Sequence, residues 1–181
     1  MRTTTVEPAL DPREVSAVGA RNRPLFAIAV APSSMRVSVI GGGTITHEES
    51  EIATAVGREL GRRGHAVVCG GLGGTMEAVC RGAKSEGGET IGILPVEDRA
   101  AANEFVDTAI ATGMGHARNA LVPLNGDGVI ALSGGPGTLS EIGFALVYGR
   151  PVVGIDAHDV PGLEVVPGPT AAVDALEAAV R

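Results

Sequence analysis

Along most of the chain, short runs of consecutive apolar residues alternate with segments in which apolar residues recur every three or four positions. Short apolar runs rich in Val and Ile are typical of buried strands, and the predicted strands are 36–40, 66–69, 90–94, 106–111, 128–132 and 152–155. Between them, apolar residues recur three or four positions apart, which predicts helices ending at Gly64, ending before Gly87, over 115–124, over 139–148 and near 171–180. Strands alternating with helices indicate an α/β fold, with a doubly wound, mostly parallel sheet flanked by helices.

Residues 1–34 break this pattern. They contain four prolines and no sustained hydrophobic period. We therefore expect a flexible N-terminal extension that contributes little to the fold, or a segment that precedes the true start at Met35. The remaining residues, 35–181, have the length of one domain.

Composition and charge argue against some ligands and some cellular locations. The chain has a net charge of −7, three phenylalanines, one tyrosine and no tryptophan, so it would repel a nucleic-acid backbone and offers few rings for base stacking. The apolar run 25–31 is too short to cross a bilayer, and the acidic residues before it argue against a secretory signal. We expect a cytoplasmic protein with neither nucleic acid nor membrane as partner.

The cysteines and histidines predict no metal site. Cys69 and Cys80 are eleven positions apart with no C-x-x-C spacing, and the four histidines are scattered along the sequence. We expect two buried, reduced thiols.

Three predicted strands run directly into glycine clusters, at 41–44, 70–74 and 134–138. Glycine lets the backbone approach a ligand closely, and the first N–H groups of a helix attract anions, so a small phosphorylated ligand is the expected partner. The alternative is that these glycines only make tight turns between strand and helix. The candidate binding residues are Gly41, Gly42, Gly43, Gly70, Gly71, Gly73, Gly74, Gly134, Gly135, Gly137 and Thr138.

Two familiar phosphate-binding motifs are incomplete. Thr46 stands where the dinucleotide fingerprint has its third glycine, and no Gly-Lys-Ser/Thr follows any glycine cluster. The sequence therefore implies neither NAD nor ATP.

The third cluster continues as a longer motif. Residues 134–141 fit G-G-x-G-T-x-x-E, and together with 70–74 and 113–119 they resemble the LOG family over roughly residues 36–156. The stretches 112–119 and 138–146 resemble the branch that contains molybdenum cofactor carrier-like proteins. The resemblance implies a Rossmann-like domain that forms a homodimer or higher oligomer, requires no cofactor, and holds the phosphates of a nucleotide or of molybdenum cofactor at the glycine loops.

The resemblance implies two alternative functions. In LOG phosphoribohydrolases, which split a nucleoside 5′-monophosphate into free base and ribose 5-phosphate, the catalytic pair matches Arg118 and Glu141. Beside Arg118, this chain has Gly115, Ala117 and Asn119 where those enzymes have Met, Glu and Lys. That departure favours a non-catalytic carrier or sensor of molybdenum cofactor or another nucleotide.

The chemistry of Glu141 and Arg118 allows either a functional or a purely structural role for each residue. The carboxylate of Glu141 could stabilise an oxocarbenium-like state and orient water, or it could merely complete a capping box with Thr138. Arg118 suits bidentate binding of phosphate or sugar hydroxyls, and its alternative is a plain surface position. We expect the two side chains to face each other across the crevice, with Asn103 and Glu104 within reach.

Overall fold

The computed structural model describes residues 34–180. The prediction for the N-terminal extension therefore concerns, apart from Ser34, residues outside the described part. Within that part, seven strands form one sheet in which every pairing is parallel. The strands are β1 Arg36–Ile40, β2 Ala66–Cys69, β3 Thr90–Leu94, β4 Thr108–Ala111, β5 Gly128–Ala131, β6 Val152–Gly154 and β7 Leu163–Val165.

The strand order is β4-β3-β2-β1-β5-β6-β7, so the chain winds outward from β1 in both directions. This confirms the doubly wound parallel sheet. The crossover between the two directions lies between β1 and β5, which is where α/β sheets bind ligands at the carboxyl ends of the strands.

Within residues 34–180, five α-helices cover the two faces of the sheet. They are α1 His47–Arg62, α2 Thr75–Ser85, α3 Leu121–Leu124, α4 Pro136–Val147 and α5 Pro169–Ala179. One buried cluster joins α1, α2 and α5 to the sheet, and a second joins α3 and α4 to the opposite face. Successive strand residues alternate between the clusters, as Val39 and Ile40 do, which explains why the strands are apolar throughout.

Three details differ from the predicted elements. Strand β4 begins at Thr108 rather than at position 106, and β7 is an edge strand in a segment for which the sequence predicts neither strand nor helix. The predicted helix over 115–124 is a 3₁₀ segment, Gly115–Ala120, followed by the short α3. Strand β7 has only three residues, so its hydrophobic period is too short to read from the sequence.

Helix α1 begins with the capping box that Thr46 and Glu49 predict. The Glu49 amide donates to Thr46 Oγ1 at 3.2 Å, and the Thr46 amide donates to the Glu49 carboxylate at 2.7 Å. This helix packs tightly on α2, because Gly57 and Gly82 each lie against backbone of the other helix and leave no room for a Cβ.

Candidate functional site

A cleft of about 420 Å³ opens at the carboxyl end of the sheet. All three glycine clusters contribute to its wall. Seven of the eleven candidate binding residues line it: Gly41, Gly42, Gly43, Gly70, Gly135, Gly137 and Thr138. The structure thus places parts of three sequence-distant loops around one cavity.

The other four candidates, Gly71, Gly73, Gly74 and Gly134, are not among the lining residues. Gly74 adopts a φ of 65°, and a Cβ there would meet the backbone of Gly43 at 2.6 Å. A Cβ on Gly134 would overlap the side chain of Thr138. At these two positions, glycine supports the shape of the loops behind the cleft.

The first two loops are hydrogen-bonded to the rest of the protein. The Gly42 amide donates to the Ser133 carbonyl at 2.9 Å, and the Thr75 amide at the start of α2 donates to the Gly42 carbonyl at 3.0 Å. Helix α1 has its own capping box, whereas α2 follows Gly74 without a side-chain cap.

The third loop differs from the second because the start of its helix lines the cleft. Helix α4 has Gly135 as its N-cap, with no side-chain cap, and Pro136 as its first residue. The alternative in which Thr138 and Glu141 form a capping box is therefore wrong, because the helix begins before Thr138 and both residues lie inside it. The Leu139 amide donates to the Gly135 carbonyl at 3.1 Å.

This geometry narrows the predicted anion site. Pro136 has no N–H and the Leu139 amide is occupied, which leaves the amides of Gly135, Gly137 and Thr138 as possible donors to an anion at the third glycine cluster. Among residues 34–180, these three amides have no hydrogen-bond acceptor. They form an open donor group at the positive end of a helix.

Arg118 and Glu141 meet in the wall of the cleft. Arg118 lies on the 3₁₀ segment Gly115–Ala120 and Glu141 on α4, and Nη1 of the arginine is 3.5 Å from Oε1 of the glutamate. Each side chain is only 9% exposed. The Nε of Arg118 is buried and has no hydrogen-bond partner within the described part of the chain, and the residue lines the cleft.

Burial controls the charge of this pair. It raises the pKa of Glu141 to about 7, and the nearby Arg118 only partly opposes that effect. Burial also lowers the pKa of Arg118, which the charge of Glu141 counteracts. A carboxyl group that titrates near neutral pH can exchange protons with water and substrate under physiological conditions.

Gly70 makes room for Arg118. A Cβ at Gly70 would lie 2.5 and 2.6 Å from the two terminal nitrogens of the arginine, and 2.6 Å from Sδ of Met76. The guanidinium therefore packs directly on the backbone that follows β2. Gly70 lines the cleft and positions Arg118 at the same time.

Several cleft residues were not singled out as binding residues from the sequence. Leu72, Met76, Pro95 and His116 line the cavity, and only His116 had a signal, its place two residues before Arg118 in the recognised motif.

Asn119 also lines the cavity, where the sequence comparison marked it only as a departure from lysine. Its Nδ2 donates to Ser140 Oγ at 3.1 Å, which joins the 3₁₀ segment to α4.

Asn103 and Glu104 do not reach the cleft, contrary to expectation. The Asn103 side chain donates to the Leu72 carbonyl at 2.8 Å and accepts from the Phe105 amide at 3.1 Å. Its hydrogen bonds thus hold the loop after β2 from outside, while Glu104 is exposed. A side chain on a polar loop after a strand can point in many directions, and its position in the sequence does not determine which direction it takes.

Other features concern metals, thiols and membranes. Cys69 and Cys80 are buried free thiols, with their Sγ atoms 3.5 Å apart. Among the residues that the structure describes, no group of three or more His, Cys, Asp or Glu could hold a metal ion. None of the helices in that part of the chain is long and apolar enough to span a bilayer.

Comparison with known sequences points to one group of proteins. The model of the SLOG cluster4 family matches residues 34–176. An uncharacterized protein of Archaeoglobus fulgidus is 43% identical over 141 residues, covering 77% of this chain and 93% of its own. The cytokinin riboside 5′-monophosphate phosphoribohydrolase of Mycobacterium tuberculosis is 32% identical over 130 residues, covering 66% of this chain and 70% of its own.

Solved structures point in the same direction. The molybdenum cofactor binding protein of Rippkaea orientalis aligns with a TM-score of 0.77 and 30% identity, covering 82% of this chain and 98% of its own. The molybdenum cofactor carrier protein of Chlamydomonas reinhardtii aligns with a TM-score of 0.72 and 28% identity, covering 80% and 97%. The chain therefore belongs to the SLOG cluster4 family, as a LOG-like protein with a Rossmann-like fold that resembles molybdenum cofactor carrier proteins.

Proposed function

We propose that the cleft binds a nucleoside 5′-monophosphate and hydrolyses its N-glycosidic bond, releasing free base and ribose 5-phosphate. The observation that carries this proposal is the buried Arg118–Glu141 pair, which lies in the wall of a cleft beside an uncapped helix. The phosphoribohydrolase of Mycobacterium tuberculosis, at 32% identity, supports the same reaction class.

The phosphate belongs at the start of α4. There the amides of Gly135, Gly137 and Thr138 have no acceptor within the described residues, and the helix dipole adds positive potential. Helix α1, after the first cluster, has its own capping box. Helix α2, after the second cluster, has no side-chain cap, but Gly73, Gly74 and Thr75 at its start do not line the cleft, whereas Gly135, Gly137 and Thr138 do. The phosphate site is therefore one loop, with the first two clusters forming the floor of the cleft.

The reacting carbon belongs beside Glu141. In its ionised form this carboxylate can accept a proton from the attacking water and stabilise positive charge on the ribose ring, as carboxylates do in O-glycoside hydrolysis. The guanidinium of Arg118, which lines the cleft, holds a hydroxyl or phosphate oxygen of the ligand. Both groups are shielded from bulk water, which strengthens their electrostatic effect.

A second candidate function is a carrier or sensor that holds molybdenum cofactor or another nucleotide without turnover. Two observations favour it: the structural likeness to the binding protein of Rippkaea orientalis, and the use of Asn119 to join the 3₁₀ segment to α4 where the phosphoribohydrolases have lysine. The same open amides would bind the phosphate of such a cargo. Neither function requires a resident cofactor.

Purified protein incubated with a panel of purine and pyrimidine 5′-monophosphates distinguishes the two candidates. Liquid chromatography with mass detection should find free base and ribose 5-phosphate, while the matching nucleosides without phosphate should react far more slowly. Arg118→Ala should lose both binding and turnover, and Arg99→Ala, an exposed arginine outside the cleft, should retain both. Binding without any base release would favour the carrier.

We also propose a homo-oligomer in the cytoplasm. Leu139, Phe144 and Val147 are exposed apolar residues on α4, and Val147 is 80% exposed. A second copy that covers this face would remove them from water. Light scattering coupled to size-exclusion chromatography should give a mass of at least two chains, and Val147→Glu should reduce it.

A further inference from the structure

The cleft contains few groups that can move a proton. Among its lining residues, the titratable side chains are His116, Arg118 and Glu141. Arginine keeps its proton near neutral pH and serves as a binding group. If Glu141 accepts the proton of the attacking water, the departing base needs a proton from another group, and His116 is the one that remains.

The topology separates two ends of the cleft. Helix α4 starts after β5, whereas the Gly115 amide donates to the Pro95 carbonyl at 2.9 Å and so places the neighbouring His116 beside the end of β3. Strands β5, β1, β2 and β3 are consecutive in the sheet, and three strand spacings amount to about 14 Å. The cleft can therefore hold phosphate, ribose and base in a line across the strand ends.

Arg118 lies between the two ends of the cleft, where we expect the ribose. Its guanidinium packs on Gly70, just after β2, and contacts Glu141. With the phosphate at the start of α4 and the ribose beside the Arg118–Glu141 pair, the base extends toward Leu72, Pro95 and His116. Leu72 and Pro95 offer apolar surface to a flat ring, and His116 offers a polar edge.

The imidazole of His116 has no structural task in the described part of the chain. It makes no hydrogen bond and no ion pair there, in contrast to His65, which is buried and bonded to Met35 and Glu177. The residue is exposed and lines the cleft. Its ring is free to contact a ligand.

We propose that His116 is a catalytic residue, the general acid that protonates the leaving base. This inference rests on the proposed hydrolase function. The water oxygen forms a bond to C1′ of the ribose, and the bond from C1′ to the base nitrogen breaks with its electron pair on the base. The imidazolium proton of His116 goes to a ring nitrogen of the base, and the water proton goes to Glu141. The sum is nucleotide plus water giving ribose 5-phosphate plus free base.

The test compares two leaving groups in His116→Gln. AMP releases adenine, which needs a proton, whereas 4-nitrophenyl β-ribofuranoside 5-phosphate releases a nitrophenolate, which does not. We expect base release from AMP to fall at least about 100-fold, the usual range for loss of a general acid, while nitrophenolate release stays at the wild-type rate. The matched control is His47→Gln, an exposed histidine on α1 outside the cleft, which should alter neither rate.

Each result has a distinct meaning. Equal losses with both substrates would overturn the acid role, because they would show that His116 acts on binding or on the ribose. No change with AMP would also overturn it. Failure of the wild-type protein to hydrolyse either substrate would overturn the hydrolase proposal itself, and the inference with it. The nitrophenyl substrate also reports that the variant is folded.

Discussion

Two regions of the cleft have similar glycine-rich sequences and different structures. Around 41–44 and 70–74, the loops are hydrogen-bonded to each other and to Ser133, and the helix after the first loop begins with a complete capping box. Around 134–138, the helix begins without a side-chain cap, and three amides have no acceptor among the described residues. Helix α2, after the second loop, also lacks a side-chain cap, but Gly73, Gly74 and Thr75 at its start do not line the cleft. The difference teaches that a glycine cluster marks a ligand site where its open donors line the cavity.

The two regions also differ in role, because the α1–α2 side contributes to stability and the α4 side carries the candidate functional groups. The α1–α2 side is close-packed, with glycines that lie against backbone, and α1 carries its own cap. The α4 side carries the buried pair, the open donors and the exposed apolar residues. Substitutions on the first side should change the free energy of unfolding, and those on the second should change ligand binding and turnover.

The largest effect is expected from Glu141→Gln. Removal of the carboxylate should lower base release at least about 100-fold, because proton transfer and charge stabilisation are both lost. Nucleotide binding should remain, since glutamine keeps the shape of the side chain. Steady-state assays and calorimetric titration measure the two properties. Glu51→Gln, on the exposed face of α1, serves as control, and equal activity of the two variants would remove Glu141 from the mechanism.

The next largest effect concerns packing on the α1–α2 side. Gly82→Ala places a methyl group against the Thr54 carbonyl, and we expect unfolding free energy to fall by about 3 kcal/mol because the helices must separate. Gly143→Ala is the matched control on α4: no atom lies near its added Cβ, so better helix propensity should raise stability by up to about 1 kcal/mol. Denaturant melts would contradict the contrast if both variants behaved alike.

The pKa of Glu141, about 7 in the folded protein, predicts two pH effects. Base release should rise with pH as Glu141 ionises through about pH 7, because only the ionised carboxylate accepts a proton. Ionisation of a buried carboxyl also costs stability, so its contribution is complete below its unfolded pKa of 4.5 and is lost as pH rises through about 7.

That loss has a measurable slope. Relative to Glu141→Gln, wild-type stability should decrease by about 1.4 kcal/mol per pH unit between these two values. Urea melts of both proteins from pH 4 to pH 8 provide the comparison. A stability difference that stays constant with pH would show that Glu141 titrates alike in the folded and unfolded chain.

The smallest effect compares two threonines near helix starts, Thr46 at the N-cap of α1 and Thr138 in the first turn of α4. Thr46→Ala removes the cap of α1 and should cost about 1 kcal/mol of stability without changing nucleotide affinity. Thr138→Ala, in the cleft wall on α4, should weaken nucleotide binding by removing a hydroxyl beside the open amides. Thermal melts and binding titrations distinguish them, and interchanged outcomes would reverse the assignment of the two loops.

The sequence predicted the parallel sheet well because its strands are apolar and its turns carry glycine. It also predicted that Arg118 and Glu141 meet. They do so because Arg118 follows β4 and Glu141 follows β5, and parallel strands end at the same edge of the sheet. It did not predict β7, whose three residues have no readable period.

The sequence could not tell the three glycine loops apart. The open donors of the third loop depend on where α4 begins, and the occupied donors of the first depend on contacts such as the one between Gly42 and Ser133, distant in sequence. The expectation that Asn103 reaches the cleft failed for a similar reason. The direction of that side chain follows from its hydrogen bond to the Leu72 carbonyl. Tertiary hydrogen bonds decide these points.

The most direct test of the central claim is a crystal structure with AMP bound to the Glu141→Gln variant, which should bind without turnover. The account predicts the phosphate within hydrogen-bond distance of the Gly135, Gly137 and Thr138 amides at the start of α4. It also predicts the ribose beside Arg118 and the base toward Pro95. A phosphate held instead by the loops at 41–44 or 70–74 would contradict the account.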